Sequence, residues 1–119
     1  MIVKTQDLDG IALDWAVAQC GEIETYGPQD FRKQRNNTVY CGEFVYRWHQ
    51  SWAQAGEIIE RERINVTYSD DHKRWESCYT VDGNPIHRFD GATPLVAAMR
   101  TYVGFTLGGE AEIPEELTC

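Results

Sequence analysis

An α+β fold is predicted: a mainly antiparallel sheet packed against an N-terminal and a C-terminal helix, with a short central helix. Three observations carry it. Helical periods lie near both ends, period-2 alternation dominates the middle, and no linker or repeat divides the 119 residues. A chain of that length buries one core without staples. The expectation is one domain over 1–119, with 110–119 as a mobile acidic tail.

Element by element, Ile2–Lys4 reads as a short strand. Leu8, Ile11, Ala12, Trp15 and Ala16 then recur at i, i+3, i+4, i+7 and i+8, which predicts a helix capped by Asp7 and stopped at Gly21. Gly10 weakens its first turn and is read as a point of close packing. Residues 22–38 are irregular, and Phe31–Asn37 is read as a polar loop carrying Arg32, Lys33 and Arg35. Thr38–Trp48 is β-rich, with Gly42 as a bulge or turn. Ser51–Arg63 is read as a loop entering a short helix after Gly56. Ile64, Val66 and Tyr68 alternate with polar residues, Ser69–Lys73 turns, and Arg74–Val81 alternates again, which together predict a hairpin. Asp82-Gly83-Asn84-Pro85 is a second turn signal. Thr93 and Pro94 open the last helix as N-cap and first residue, and Gly108-Gly109 closes it.

Composition excludes several classes. Charged residues at 25% against 42% apolar ones argue against wholesale disorder. Apolar stretches are too broken for a membrane span, and Met1-Ile-Val-Lys-Thr does not start a secretory leader, so the cytoplasm of the producing cell is expected. A net charge of −8 repels duplex DNA. Cys20, Cys41, Cys78 and Cys119 form no C-x-x-C, and His49, His72 and His87 complete no zinc pattern. Reduced thiols, most of them buried, are expected, and neither a metal nor a cofactor is called for. No serine or cysteine sits in a nucleophile elbow, so no catalytic residue is assigned.

Several segments together resemble the NinX-like proteins of tailed phages. They are Leu13-Asp-Trp-Ala-Val-Ala, Trp52-Ala-Gln-Ala-Gly-Glu-Ile-Ile-Glu-Arg-Glu, and Gly91-Ala-Thr-Pro-Leu-Val-Ala-Ala-Met-Arg, in family order from beginning to end. Members often carry proline after the central glycine, where this chain has Glu57, and Glu22–Tyr46 finds no counterpart. The resemblance implies context rather than chemistry: a phage accessory gene expressed in the cytoplasm of an infected bacterium.

The ligand-binding candidates are aromatic and basic. Trp48 and Trp52 offer flat rings near Gly56, where helix N–H groups would hold an anion, although Glu57 opposes one there. Arg61 and Arg100 lie inside the family-like motifs, and a guanidinium fork suits phosphate or carboxylate. Arg100 shares a face with Ala97 and Gly104, small residues that admit a ligand, a subunit or the sheet. Arg32, Lys33 and Arg35 are the basic cluster of an acidic chain, readable as a solvated loop or as a flap over an anion. Core packing of the tryptophans and a surface ion pair at Arg61 are the plainer readings. The expectation is a non-catalytic protein, as a homo-oligomer, that sequesters a small nucleotide-derived signal of the cyclic dinucleotide or cyclic ADP-ribose type. The alternatives are an acidic inhibitor using the Glu110–Glu116 tail to mimic DNA, and a hydrolase of the same signals using His49, His72 or His87.

Overall fold

The computed structural model describes residues 1–22, 31–33, 39–41 and 44–113, with side chains of 21–46 outside the description. Gly42 and Arg35 lie outside the described residues. In order, the elements are β1 (Ile2–Lys4), a 3-10 turn (Thr5–Asp7), α1 (Gly10–Val17) running into a π turn (Ala18–Glu22), β2 (Phe31–Lys33), β3 (Val39–Cys41), β4 (Phe44–Tyr46), α2 (Trp52–Glu62), β5 (Asn65–Ser69), β6 (Arg74–Val81), β7 (Asn84–Gly91), α3 (Pro94–Leu107) and β8 (Glu110–Glu112).

The α+β expectation holds, with one refinement. The strands form three antiparallel sheets, ordered β1-β8, β2-β3-β4 and β5-β6-β7. α3 packs on the last of these and also meets α1 and α2, so it is the centre of the molecule rather than one of two outer helices. Every residue from Leu95 to Gly104 is buried. Its start is as the sequence dictates: the Thr93 hydroxyl accepts from the Val96 N–H at 3.2 Å, and Pro94 needs no donor at that position. Leu8, Leu13, Ile58, Met99, Val103 and Ile113 are fully enclosed in one contiguous core. Each stabilises the fold by roughly 1.5–3 kcal/mol relative to exposure.

Small residues set the distance between α3 and its sheet. A Cβ at Gly104 would run into the Phe89 ring, and one at Gly91 would meet the Ala97 N–H and Val96. Of the three occupants offered for the Ala97–Gly104 face, the sheet takes it. The hairpin joining β6 and β7 turns on Asp82 (φ 51) and Gly83 (φ 80), the two positive angles of a type I′ turn. Thus Asn84-Pro85 begins a strand rather than completing a turn, and β7 is an element the periodicity did not reveal. His87 in a left-handed conformation (φ 51) and a register shift between Ser77 and Tyr79 break its alternation.

Other assignments also differ from expectation. The cap of α1 is Asp9, which accepts from Gly10 N, while Asp7 belongs to the preceding turn. Gly10 answers a backbone need (φ 53), since a Cβ there meets nothing. Arg32 and Lys33 sit on β2, opposite Tyr40 and Val39, not in a loop. Glu110–Glu112 is no mobile tail: β8 pairs with β1, Ile113 is buried, and Ile113 N donates to the Met1 carbonyl at 2.8 Å. That placement removes residues 110–113 from any free acidic tail.

Candidate functional site

α2 begins at Trp52, earlier than its sequence pattern indicates. Ser51 is the N-cap, its hydroxyl accepting from Gln54 N at 3.2 Å, and the Gln54 side chain accepts from Arg47 N at 2.6 Å. Gly56 therefore lies in the second turn, with its N–H inside the helix ladder and not at an anion-binding terminus. Trp52 is 61% exposed, whereas Trp48 is 4% exposed and belongs to the core. The two indoles therefore do not present a joint stacking surface.

Trp52 and Arg61 are nine residues apart, about two and a half turns, which puts them on opposite sides of α2. Arg61 turns toward α3. Its guanidinium carbon stands 5.9 Å from the centre of the Tyr102 ring, and Nη2 donates to the Tyr102 hydroxyl at 3.4 Å. Nε donates to Glu62 at 2.8 Å, and about half the side chain remains exposed. Beside this group lies Tyr79, whose buried hydroxyl has no well-formed hydrogen bond. Burial, then the Glu62 carboxylate, push its phenol well above the ordinary range, so the hydroxyl keeps its proton. Tyr79 continues into an aromatic group at the end of α3, with ring centres 4.5 Å from Phe105 and 6.4 Å from His87. Phe105 is 51% exposed. The corner thus combines a cation over a ring, a buried donor and an open aromatic edge.

Arg100 has another task. Its Nε donates to the Leu8 carbonyl and Nη1 to the Asp90 carbonyl, both at 2.7 Å, tying the approach to α1 onto β7. Burial pushes this guanidinium down, and Asp9, Asp90 and Asp7 oppose that shift. Any anion at Arg100 would compete with these carbonyls. A polar cleft of about 170 Å³ opens nearby, lined by Gln6, Glu76, Arg88, Phe89 and Asp90. It contains none of the candidates named above. Its carboxylates are already engaged, Asp90 by Gln6 and Arg74, and Glu76 by Arg88 and His72.

One buried pair joins parts of the chain that sequence reasoning did not connect. Asp14, fully enclosed on α1, accepts from His49 N at 2.9 Å through Oδ1 and meets His49 Nδ1 at 2.6 Å through Oδ2. Burial raises the Asp14 carboxyl above its ordinary 3.8, while the His49 bonds and Arg47 pull it down without cancelling the rise. The available signal was an acidic side chain between Leu13 and Trp15 on an otherwise apolar helix, which demands a partner but does not name it. The Arg61–Glu62 ion pair is the surface pair the sequence suggested, but Tyr79 and Tyr102 were likewise missed, because they come from β6 and α3. Among the described residues no group of histidine, cysteine and carboxylate side chains is placed to hold a metal. Cys20 and Cys78 are thiols, each half-buried rather than enclosed.

These features define the class: a small α+β protein built round a central helix, with an arginine–tyrosine corner beside it. Over residues 4–105 the chain matches the family described as Bacteriophage P22, NinX, and it belongs to that family. No curated protein matches it. No helix among the described residues is long and apolar enough to cross a membrane.

Proposed function

We propose that this phage accessory protein binds a small nucleotide-derived signalling molecule of a bacterial defence system in the host cytoplasm and withholds it without converting it. The observation that supports this reading is the Arg61–Tyr102–Tyr79 corner. A half-exposed guanidinium lies over one phenol and beside a second, buried one whose hydroxyl has the Glu62 carboxylate near it but no well-formed hydrogen bond. An anionic oxygen would accept from the guanidinium and that hydroxyl together, and the exposed Phe105 edge would meet a base. Glu62 is among the groups that hold Arg61 in the meantime, and an anion must displace it. Trp52, on the far side of α2, cannot share one small ligand with this corner, so the corner is the preferred site.

Thermal stabilisation against cyclic dinucleotides, cyclic ADP-ribose isomers and ordinary nucleotides tests the reading, with mass spectrometry of whatever is recovered after denaturation. One compound should stabilise the chain, return intact, and lose its effect in Arg61→Ala. Recovery of a cleaved product makes the chain an enzyme. No shift with any compound removes the nucleotide reading altogether.

A further inference from the structure

The β5-β6-β7 sheet has two edges of different kind. β7 is guarded: Pro85 lacks an N–H, His87 is left-handed (φ 51), and the pairing with β6 slips between Ser77 and Tyr79. β5 has none of these defences. It pairs with β6 in unbroken register from Asn65–Cys78 to Ser69–Arg74. It contains no proline and no charged residue, in a chain of net charge −8. Asn65, Thr67 and Tyr68 are exposed along it, and among the described residues no strand pairs with its outer row of N–H and C=O groups.

We propose that a second copy of this chain fills that edge, β5 against β5, antiparallel about a two-fold axis through Thr67. An axis perpendicular to the sheet makes identical strands antiparallel automatically and gives each contact twice. Thr67 then faces Thr67 of the second copy, Val66 faces Tyr68, and Asn65 faces Ser69. Val66 and Tyr68 point to the same side of the sheet, where Tyr68 already packs edge-on against Trp75 at 5.2 Å. Valine opposite tyrosine extends that apolar strip, as aromatic and β-branched cross-strand pairs do. The polar residues of the strand meet on the other face.

Charge selects this register. The ladder stops at the left-handed Arg63 (φ 55) and at the turn after Ser69, and the pairing brings exposed Arg63 to the end of the sheet that carries exposed Asp71 of the second copy, once at each end. Moving the axis to Tyr68 carries Arg63 past Asp71 toward the tip of the turn, and moving it to Val66 sets Arg63 against Ser69, with no charge gained. Pairing residues of unlike parity would turn the helix layer of the second copy to the opposite face of the sheet. Thus the uncharged strand supplies the backbone pairing, and its two flanking charges fix the alignment. The result is a continuous six-stranded sheet.

Sedimentation of the full chain over a range of concentrations, with charge-swap variants, is the test. The unaltered chain should dimerise. Arg63→Asp or Asp71→Arg alone should weaken the dimer roughly tenfold, since each puts two like-charge contacts in place of two ion pairs. The double swap should restore it. Aspartate is tolerated at the left-handed angle of position 63 (φ 55), so the single variant folds. Register is read separately with Thr67→Cys. Opposed Cα atoms in an antiparallel pair stand about 4.5–5.5 Å apart, within disulfide range. Mild oxidation should therefore join position 67 of the two copies far more than it cross-links the unaltered chain. A chain that remains monomeric overturns the proposal, as does a dimer that ignores the charge swaps or does not cross-link at position 67.

Discussion

α2 and α3 are both begun by a side-chain cap, Ser51 and Thr93, and both carry a glycine and an arginine that lies in a family-like motif. Their surroundings make these shared features mean different things. α3 lies between a sheet and two helices, so Arg100 is enclosed and must bond to carbonyls, and Gly104 exists to admit Phe89. α2 buries Ala55 and Ile58 and leaves its other sides in water. There Arg61 stays half-exposed over Tyr102, and Gly56 has open space where a Cβ would be. Burial on α3 turns polar side chains into architecture. Exposure on α2 leaves them in reach of solvent.

The arginines give the largest contrast. Arg100→Ala removes two charge-assisted bonds and leaves the Leu8 and Asp90 carbonyls without these donors in a partly dry site. Its expected cost is about 3–5 kcal/mol, comparable to breaking a buried ionic contact. Arg61→Ala should cost less than about 1 kcal/mol, because an exposed pair with Glu62 and a wet cation–π contact contribute little. Urea unfolding of both variants measures the difference directly. Equal losses would mean that Arg61 is a structural residue, and the binding corner would lose its rationale.

The approach to each helix is secured differently as well. α3 follows β7 through its own Thr93 cap, but the segment before α2 is fastened from a distance by Asp14 and His49. Asp14→Ala leaves the His49 N–H without its acceptor and should cost about 1–3 kcal/mol. The pH dependence carries a sign. The folded carboxyl titrates above the ordinary 3.8, so between those two values the folded state binds more protons than the unfolded one. The contribution of Asp14 to stability is therefore full below the unfolded value and falls as pH rises through the folded one. In Asp14→Asn that component disappears. The stability difference between the parent and Asp14→Asn should shift against the parent as pH is raised across that window. A flat difference would show that the carboxyl is not desolvated.

How far each region is legible follows from the range of its interactions. α3 was readable end to end because Thr93, Pro94 and Gly108 act within a turn of their own positions. The β5–β6 hairpin was readable because Val66 and Tyr68 alternate locally. The start of α2 was misplaced because Gly56 looked like a boundary, while the real cap, Ser51, is followed by Trp52, a residue as common in strands as in helices. β7 escaped because Pro85 and His87 interrupt its alternation. The Arg61 corner was half legible. The arginine stands in a recognisable motif, but the tyrosines that make it a site come from β6 and α3, and no local pattern announces which rings will meet.

The glycines give the smallest effect and the clearest reversal of sign. At Gly56 the helix is ordinary, and a methyl group has room, so Gly56→Ala should stabilise the fold by about 0.5–1 kcal/mol through a less flexible unfolded chain. At Gly104 the same helical gain is opposed by the Phe89 ring, whose edge occupies the place of the new Cβ. Gly104→Ala should therefore lose about 1–3 kcal/mol, as overpacked cores do. Thermal unfolding of the pair reads the two signs in one experiment. A stabilised Gly104→Ala would mean that β7 can slide outward with Phe89, and that α3 is less tightly held by its sheet than its burial implies. Ligand binding by Gly56→Ala then separates the two faces of α2. Undiminished binding is the outcome expected if the ligand lies on the Arg61 side, whereas a loss would move the site to the open shelf beside Trp52.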